Sequence, residues 1–321
     1  MKILFHALLL ACIVSQSLIA AEKSIIRLGV LPFGTVNWEL TVLTKLELIE
    51  TDEYRIEIQA VANPQAGKIS LLANSVDMIV SDWIWVSRQR TAGFNLTFYP
   101  YSNTAGALVV NKQSNITSLP DLKGKRIGIA GGELDKNWLL LQALAKKQTI
   151  DLNQANKKVF AAPPLLNQEL SQGRLDAIIT YWHYAARLEA QGFHQIIDGK
   201  NIIKDLGIPV SVPLLGYVFK QSWADQHQNA IKRFFRATQV AKDSICNSDS
   251  TWQHIIPLTK TSSTTTQQLL RKRYCDGRIN QWGKQQQDAA QQIYLLLKKL
   301  SKNKLTGKSE ILQPGTFWFP N

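Results

Sequence analysis

Two stretches of this chain repeat one pattern. Residues 75–90 read SVDMIVSDWIWVSRQR and residues 175–187 read LDAIITYWHYAAR. Asp77 matches Asp176, Ser81 matches Thr180, Trp83 matches Trp182 and Arg88 matches Arg187, all at one offset. Each stretch reads as a short apolar strand that runs through a polar-aromatic corner into a helix. The segments around them keep the same rhythm. IIRLGVLPF is a buried strand broken at Pro32 and Gly34, YRIEIQAV alternates as a half-buried strand, and QAGKISLLANS carries a short helix. Strands alternating with helices predict an α/β chain whose mostly parallel sheets are covered on both faces.

The rhythm changes at LTFYPYSNTAGALVVNKQS, where two strands run on across the polar break YSNT. A second α/β series then opens. RIGIA leads into Gly131-Gly132 and a helix beginning near Asp135, with Trp138, Leu141 and Leu144 at helical spacing. VFAAPPLLNQELSQGRLDAIIT adds strand, turn, helix and strand, and LLGYVFK is one strand more. From Trp223 on the chain is largely helical, with Ile231, Phe234, Phe235, Thr238, Ala241 and Ile245 on one stripe. No low-complexity linker divides these blocks. The second series is therefore expected as a folded insert, with crossings near residues 102 and 214. Residues 22–102 with 214–321 would form one lobe and residues 103–213 the other.

In parallel α/β sheets ligands sit beyond the carboxyl ends of strands. Gly34 to Trp38, Ser81-Asp82-Trp83, Gly131 to Asn137 and Thr180 to His183 occupy such ends. Two lobes with matching corners can then face each other across a cleft. A helix start after two glycines also suits an anion, with Lys136 adding charge. Strand–GG–helix is equally an ordinary tight connection.

Lys2 and the apolar run ILFHALLLACIVSQSLIA make residues 1–21 an export signal, cleaved after Ala20 or Ala21. An uncleaved anchor is the rival, weakened by His6, Ser15, Gln16 and Ser17; a lipid anchor on Cys12 is weaker still. Cys246 and Cys275 remain, either paired in an oxidising compartment or as two buried thiols. No spacing suits zinc, and no cofactor is implied. The formal net charge is +13. The basic residues are scattered, apart from Lys298, Lys299, Lys302, Lys304 and Lys308, so no nucleic-acid groove is expected.

The exported start, LPDLKGKRIGIA opening a second lobe, and LSQGRLDAIITYW together resemble the periplasmic solute-binding proteins of ABC importers. The nitrate, sulfonate and taurine type, with relatives that bind thiamine-pyrimidine precursors, is the nearest group. The resemblance implies the two-lobed type II periplasmic binding protein fold. It implies a monomer in the periplasm whose cleft closes on a small-molecule ligand and presents it to an ABC permease in the inner membrane. It points to Gly34, Thr35, Asn37 and Trp38 after the first strand, and to Ser81, Asp82 and Trp83 after the third. Ser102, Asn103 and Thr104 match the hinge-side loop, Gly132 and Lys136 the helix-start contacts, and Tyr181, Trp182 and His183 the last wall. Asp82 departs from what an anion binder would carry. It would repel an anion unless Lys136 or an arginine neutralises it, and with Trp83 and Trp182 it could favour an amine instead.

Plainer readings stand beside these. Trp83, Trp85, Trp182 and Tyr184 also suit a core, Asp77 and Asp176 a turn, and Arg88 and Arg187 a helix surface or an ion pair. His183 also suits a surface or hydrogen-bonded histidine. No GxSxG, HExxH or Walker loop occurs, and the cysteine-rich motif of related pyrimidine-synthesis enzymes is missing, so a binding protein rather than an enzyme is expected. A periplasmic partner or sensor on the same fold is the alternative.

Overall fold

The computed structural model describes residues 23–155 and 157–319; the expected export signal lies outside them. The chain begins β1 (Ser24–Val30), α1 (Val36–Lys45), β2 (Tyr54–Ala60), α2 (Pro64–Leu72), β3 (Met78–Asp82), α3 (Trp83–Thr91) and β4 (Leu96–Ser102). It crosses to β5 (Ala107–Val110), β6 (Arg126–Ala130), α4 (Lys136–Lys147), α5 (Leu152–Ala155), β7 (Lys157–Ala161), α6 (Pro163–Ser171), β8 (Ala177–Thr180), α7 (Trp182–Ala190), β9 (His194–Asp198) and α8 (Gly199–Asp205). It then returns through β10 (Leu215–Lys220) and ends in α9 (Gln221–Gln226), α10 (Gln228–Asn247), α11 (Asp249–Ile255), α12 (Thr264–Asp276) and α13 (Lys284–Leu300).

The strands form two five-stranded sheets, ordered β2-β1-β3-β10-β4 and β7-β6-β8-β5-β9. In the first, β1 pairs in parallel with β2 and β3, and β10 runs antiparallel between β3 and β4. In the second, β6 pairs in parallel with β7 and β8, and β5 is antiparallel to β8 and β9. The returning β10 makes the first sheet mixed, and β5, just past the first crossing, makes the second mixed.

The two sheets are built from the same unit. Backbone and guanidinium N–H groups of Arg27 on β1 donate to the Asp77 carboxylate, two of them at 2.9 Å. Arg126 on β6 does the same to Asp176, at 2.7 and 3.1 Å. Both pairs lie 50 residues apart in sequence. Gly29 and Gly128 lie beneath the next element in each unit. A Cβ on Gly128 would approach Leu175 to 2.7 Å and Ile178 to 2.9 Å, and one on Gly29 would reach Ile79 at 3.0 Å. Asp77 and Asp176 thus do more than close a turn: Asp77 clamps β1 to the start of β3, and Asp176 clamps β6 to the start of β8.

The C-terminal helices join the halves. Ile293, Tyr294 and Leu297 of α13 share a core with Trp83 and Phe98 by the first sheet and with Ile127 and Trp138 by the second. On the other side α12 packs along α7, and Ala186 of α7 lies in the core of α1, α10 and α12. Arg273 of α12 donates to Glu189 of α7 at 2.7 Å. Cys246 of α10 and Cys275 of α12 form a disulfide. It fixes α12 to the first half while α12 rests on the second. No described helix is long and apolar enough to cross a membrane.

Candidate ligand cleft

The carboxyl end of β3 in one sheet meets the loop that follows β6 in the other. The polar link at these strand ends is at Asp82. This residue caps α3, its carboxylate accepting from the Trp85 N–H at 2.9 Å. Lys136, the first residue of α4 on the opposite sheet, places Nζ 3.3 Å from the same carboxylate, and Lys68 of α2 lies at 4.0 Å. Burial pushes the Asp82 carboxyl up, but Lys136 and then Lys68 outweigh it and hold the group below its ordinary value. Lys68 also lies over the Trp85 ring, 4.9 Å from its centroid. Burial lowers the Lys68 ammonium, and Asp82 works against that.

The opposite loop is held by its own acid. Gly131 and Gly132 take positive φ values of 87° and 92°, which turn RIGIA into α4. Asp135 caps that helix, accepting from the Trp138 N–H at 3.0 Å, and burial raises its carboxyl. The helix start therefore already faces a carboxylate, and an incoming anion would meet Asp135 there. Lys68 and Lys136 stand against Asp82 and Asp135, so the charges at this point balance.

Other expected residues are spread more widely. The Thr35 hydroxyl pairs with the Tyr101 hydroxyl at 3.1 Å, and Asn37 donates to the Leu31 carbonyl at 2.9 Å, holding the loop around Gly34. Trp38 is buried against Trp252 and Tyr274, at 5.6 and 5.4 Å between centroids. Ser81 is buried where β3 pairs with β10. Ser102, Asn103 and Thr104 lie at the first crossing. The Asn103 N–H and side chain donate to the Gly277 and Arg278 carbonyls, at 2.8 and 3.3 Å. Tyr181 is exposed, with its hydroxyl beside Gly131. Trp182 is half-buried against the first half's core. His183 stacks obliquely on Tyr184 at 4.5 Å, and burial, then the Arg187 charge, lowers its imidazole to about 4. His183 is neutral at pH 7.

The expectation of a cleft contact from Trp83 is corrected. Trp83 is fully buried and its indole N–H donates to the Pro213 carbonyl at 3.0 Å. As the first residue of α3 it points back over the sheet, where the returning chain supplies both packing and an acceptor. The corners match in sequence, but only Trp182 retains exposed surface.

A family model described as NMT1/THI5 like matches residues 53–249. This chain belongs to the NMT1/THI5-like family. The match runs through both sheets, from the start of β2 to the end of α10. Among solved structures, this NMT1/THI5-like chain is similar to the periplasmic aliphatic sulphonate-binding protein SsuA of Escherichia coli. That match has 17% identity, a TM-score of 0.73 and 92% coverage of each chain. The alkanesulfonate-binding protein SsuA of Xanthomonas axonopodis pv. citri, bound to MOPS, matches at 15% identity and a TM-score of 0.68, over 93% of this chain and 99% of its own. The desulfurization enzyme DSZB matches at 14% identity with a TM-score of 0.55, over 88% and 93%. These likenesses show the fold, the two-lobed type II periplasmic binding protein architecture. No curated protein matches the chain by sequence.

One cluster in this family member was not anticipated from the sequence. Glu39 of α1 and Lys242 of α10 form a buried ion pair. The Tyr274 and Tyr217 hydroxyls donate to Glu39 at 2.7 and 3.3 Å. Lys242 lies over the Tyr101 ring, 3.7 Å from its centroid. Burial, and then the Glu39 charge, pushes all three tyrosines well above their ordinary values. Through Tyr101 the cluster supports Thr35 from below. The signal was present: Lys242 falls one helical turn from Thr238 on the apolar stripe, where a solvated lysine has no place. Among the described residues, no group of three or more His, Cys, Asp or Glu is placed to hold a metal ion.

Proposed function

We propose that this chain is the exported substrate-binding component of an ABC importer. It captures a small polar molecule between two lobes in the periplasm and delivers it to a membrane permease. The lobes are residues 22–102 with 214–321, and residues 103–213, with residues 1–21 as the export signal. The Asp82–Lys136 pair carries the reading, because it links loops at the carboxyl ends of strands in different sheets. Family membership and the likeness to sulfonate-binding proteins support it. The cleft groups suit binding rather than turnover. Asp82 is held ionised by two lysines and His183 is kept neutral by burial, so neither is poised to exchange a proton near pH 7.

The balanced charges bear on the ligand. Asp82 is not a free anion awaiting an amine, because Lys136 and Lys68 offset it. A ligand carrying a sulfonate must take Lys136 from Asp82. Asp82→Asn frees that lysine, and should tighten binding of an alkanesulfonate by about ten-fold, the value of one charge-assisted bond. Titration calorimetry of the wild type and the variant with ethanesulfonate, taurine and nitrate tests this. No binding of these or of pyrimidines and amines, together with no rise in melting temperature, would remove the importer reading.

A further inference from the structure

The loop after β1 keeps few hydrogen-bond donors for a ligand. β1 runs parallel to β3, and β10 runs antiparallel to both β3 and β4. β1, β3 and β4 therefore end on one side of the first sheet, the side from which the chain crosses to the second after Ser102. Thr35 and Asn37 stand there, each partly exposed. The Asn37 amide donates to the Leu31 carbonyl at 2.9 Å and to the Gly34 carbonyl at 3.4 Å. That fixes the amide and leaves its Oδ1 as the free acceptor. The backbone N–H groups of Asn37, Trp38 and Glu39 bond to Gly34 and Thr35 carbonyls at 3.3, 3.1 and 3.4 Å, so the start of α1 has little to donate either.

Thr35 is tied through Tyr101 to the buried charge beneath it. The two hydroxyls lie 3.1 Å apart, and on distance alone either could donate. Glu39 decides the direction. It is ion-paired with Lys242 in the core. Tyr101 hydrogen-bonds to Glu39 as well as to Thr35, and burial, then the Glu39 charge, keeps the phenol protonated. A carboxylate only accepts, so the phenol proton turns to Glu39. The Tyr101 oxygen is then left to accept the Thr35 proton. Thr35 Oγ1 keeps lone pairs but no proton for a ligand, and it accepts no capping bond from α1.

We infer that the loop after β1 is an acceptor-only wall of the cleft, through Thr35 Oγ1 and Asn37 Oδ1, and selects a ligand that brings O–H or N–H donors to it. An acid group turned to this loop would meet two lone-pair oxygens and leave all of them without a proton, whereas Lys136 offers such a group a cation. The inference rests on the cleft reading above and adds the class of ligand: a small acid that also carries a hydroxyl, ammonium or amide N–H. Thr35 touches the ligand; Tyr101 and Glu39 are positioning residues that set which way its hydroxyl points.

Titration calorimetry with 2-hydroxyethanesulfonate and its methyl ether tests this. The two carry the same charge and the same oxygen, and only the first has a proton on it. Wild type should bind the hydroxyl compound about ten-fold tighter. Thr35→Val keeps the shape of the side chain and should cut that preference to about three-fold or less. Tyr101→Phe frees the Thr35 proton, so the ether should gain about three-fold while the hydroxyl compound holds its affinity. A merely structural role would weaken both probes alike. Should Tyr101→Phe fail to fold, Thr35→Val decides. Equal binding of the two probes by wild type, or a preference that survives Thr35→Val, overturns the inference and leaves the importer reading standing. In the ligand-free chain the Thr35 hydroxyl proton should give an NMR cross-peak to the Tyr101 ring. A Tyr101 hydroxyl proton aimed at the Thr35 methyl overturns the inference, and this spectrum decides it if neither sulfonate binds.

Discussion

Glu39→Gln probes the buried ion pair with a nearly isosteric change. Glu39 and Lys242 are only 1% and 5% exposed, so water cannot replace the lost charge. Removing one partner of a buried pair costs about 3–5 kcal/mol, because the other charge remains desolvated. Two features soften the loss here. Lys242 keeps the Tyr101 ring face at 3.7 Å, a contact worth about 2 kcal/mol when desolvated. The Tyr274 and Tyr217 hydroxyls can still donate to the glutamine oxygen. The expected destabilisation is therefore about 3 kcal/mol, or a melting temperature lower by roughly 6–12 °C. Lys242→Met alone should cost a similar amount, since it strands the carboxylate. The double variant Glu39→Gln, Lys242→Met buries no net charge and should recover to within about 1 kcal/mol of wild type. Urea unfolding followed by circular dichroism measures all four proteins. Single variants that each cost under about 1 kcal/mol, with a double variant that merely adds them, would refute the claim that the pair is desolvated and coupled.

The remaining predictions concern the disulfide, the repeated clamp and His183. Reducing Cys246–Cys275, or replacing both with alanine, frees a loop with a sequence separation of 29 and should cost about 3–4 kcal/mol, read as a lower melting temperature. Asp77→Ala breaks a clamp whose carboxylate is 8% exposed and should cost about 2 kcal/mol; Asp176→Ala, with its carboxylate 28% exposed, should cost less. Equal losses in denaturant titrations would mean the two units are not graded by burial. His183 is held neutral, its pKa falling from 6.5 to about 4, so the unfolded chain binds more protons between those values. Its contribution is full above pH 6.5 and is lost as pH falls toward 4, by about 3 kcal/mol in all. His183→Phe should flatten that part of the stability–pH curve relative to wild type, and parallel curves would show that the imidazole is not desolvated.

What the sequence disclosed follows the range over which each signal acts. Strand and helix alternation is written in windows of a few residues, so β3, α3, β8 and α7 were legible. So was the return through LLGYVFK, which became β10 between β3 and β4. The repeat was legible only from Asp77 and Asp176 onward. Its other half, RLGV in β1 and RIGI in β6, lies 50 residues upstream of each aspartate, and only the folded clamp joins the two.

The corners resisted for a different reason. An aromatic residue at a helix start has two stable fates, down into the sheet or out over the loop, and the local sequence is alike for both. Trp83 went down because the Pro213 carbonyl, 130 residues later, was there to accept its N–H. At the corresponding place Trp182 met the core of the other half and stayed partly open. The same limit applied to charge. Asp82 alone suggested an amine ligand, but its environment is set by Lys68 and Lys136, one from each half. A carboxylate that meets its counter-ion across an interface has no readable preference until both sides are in place. Ligand charge in such a cleft is thus a property of the closed pair of loops, and substitutions at Lys136 should alter it as strongly as substitutions at Asp82.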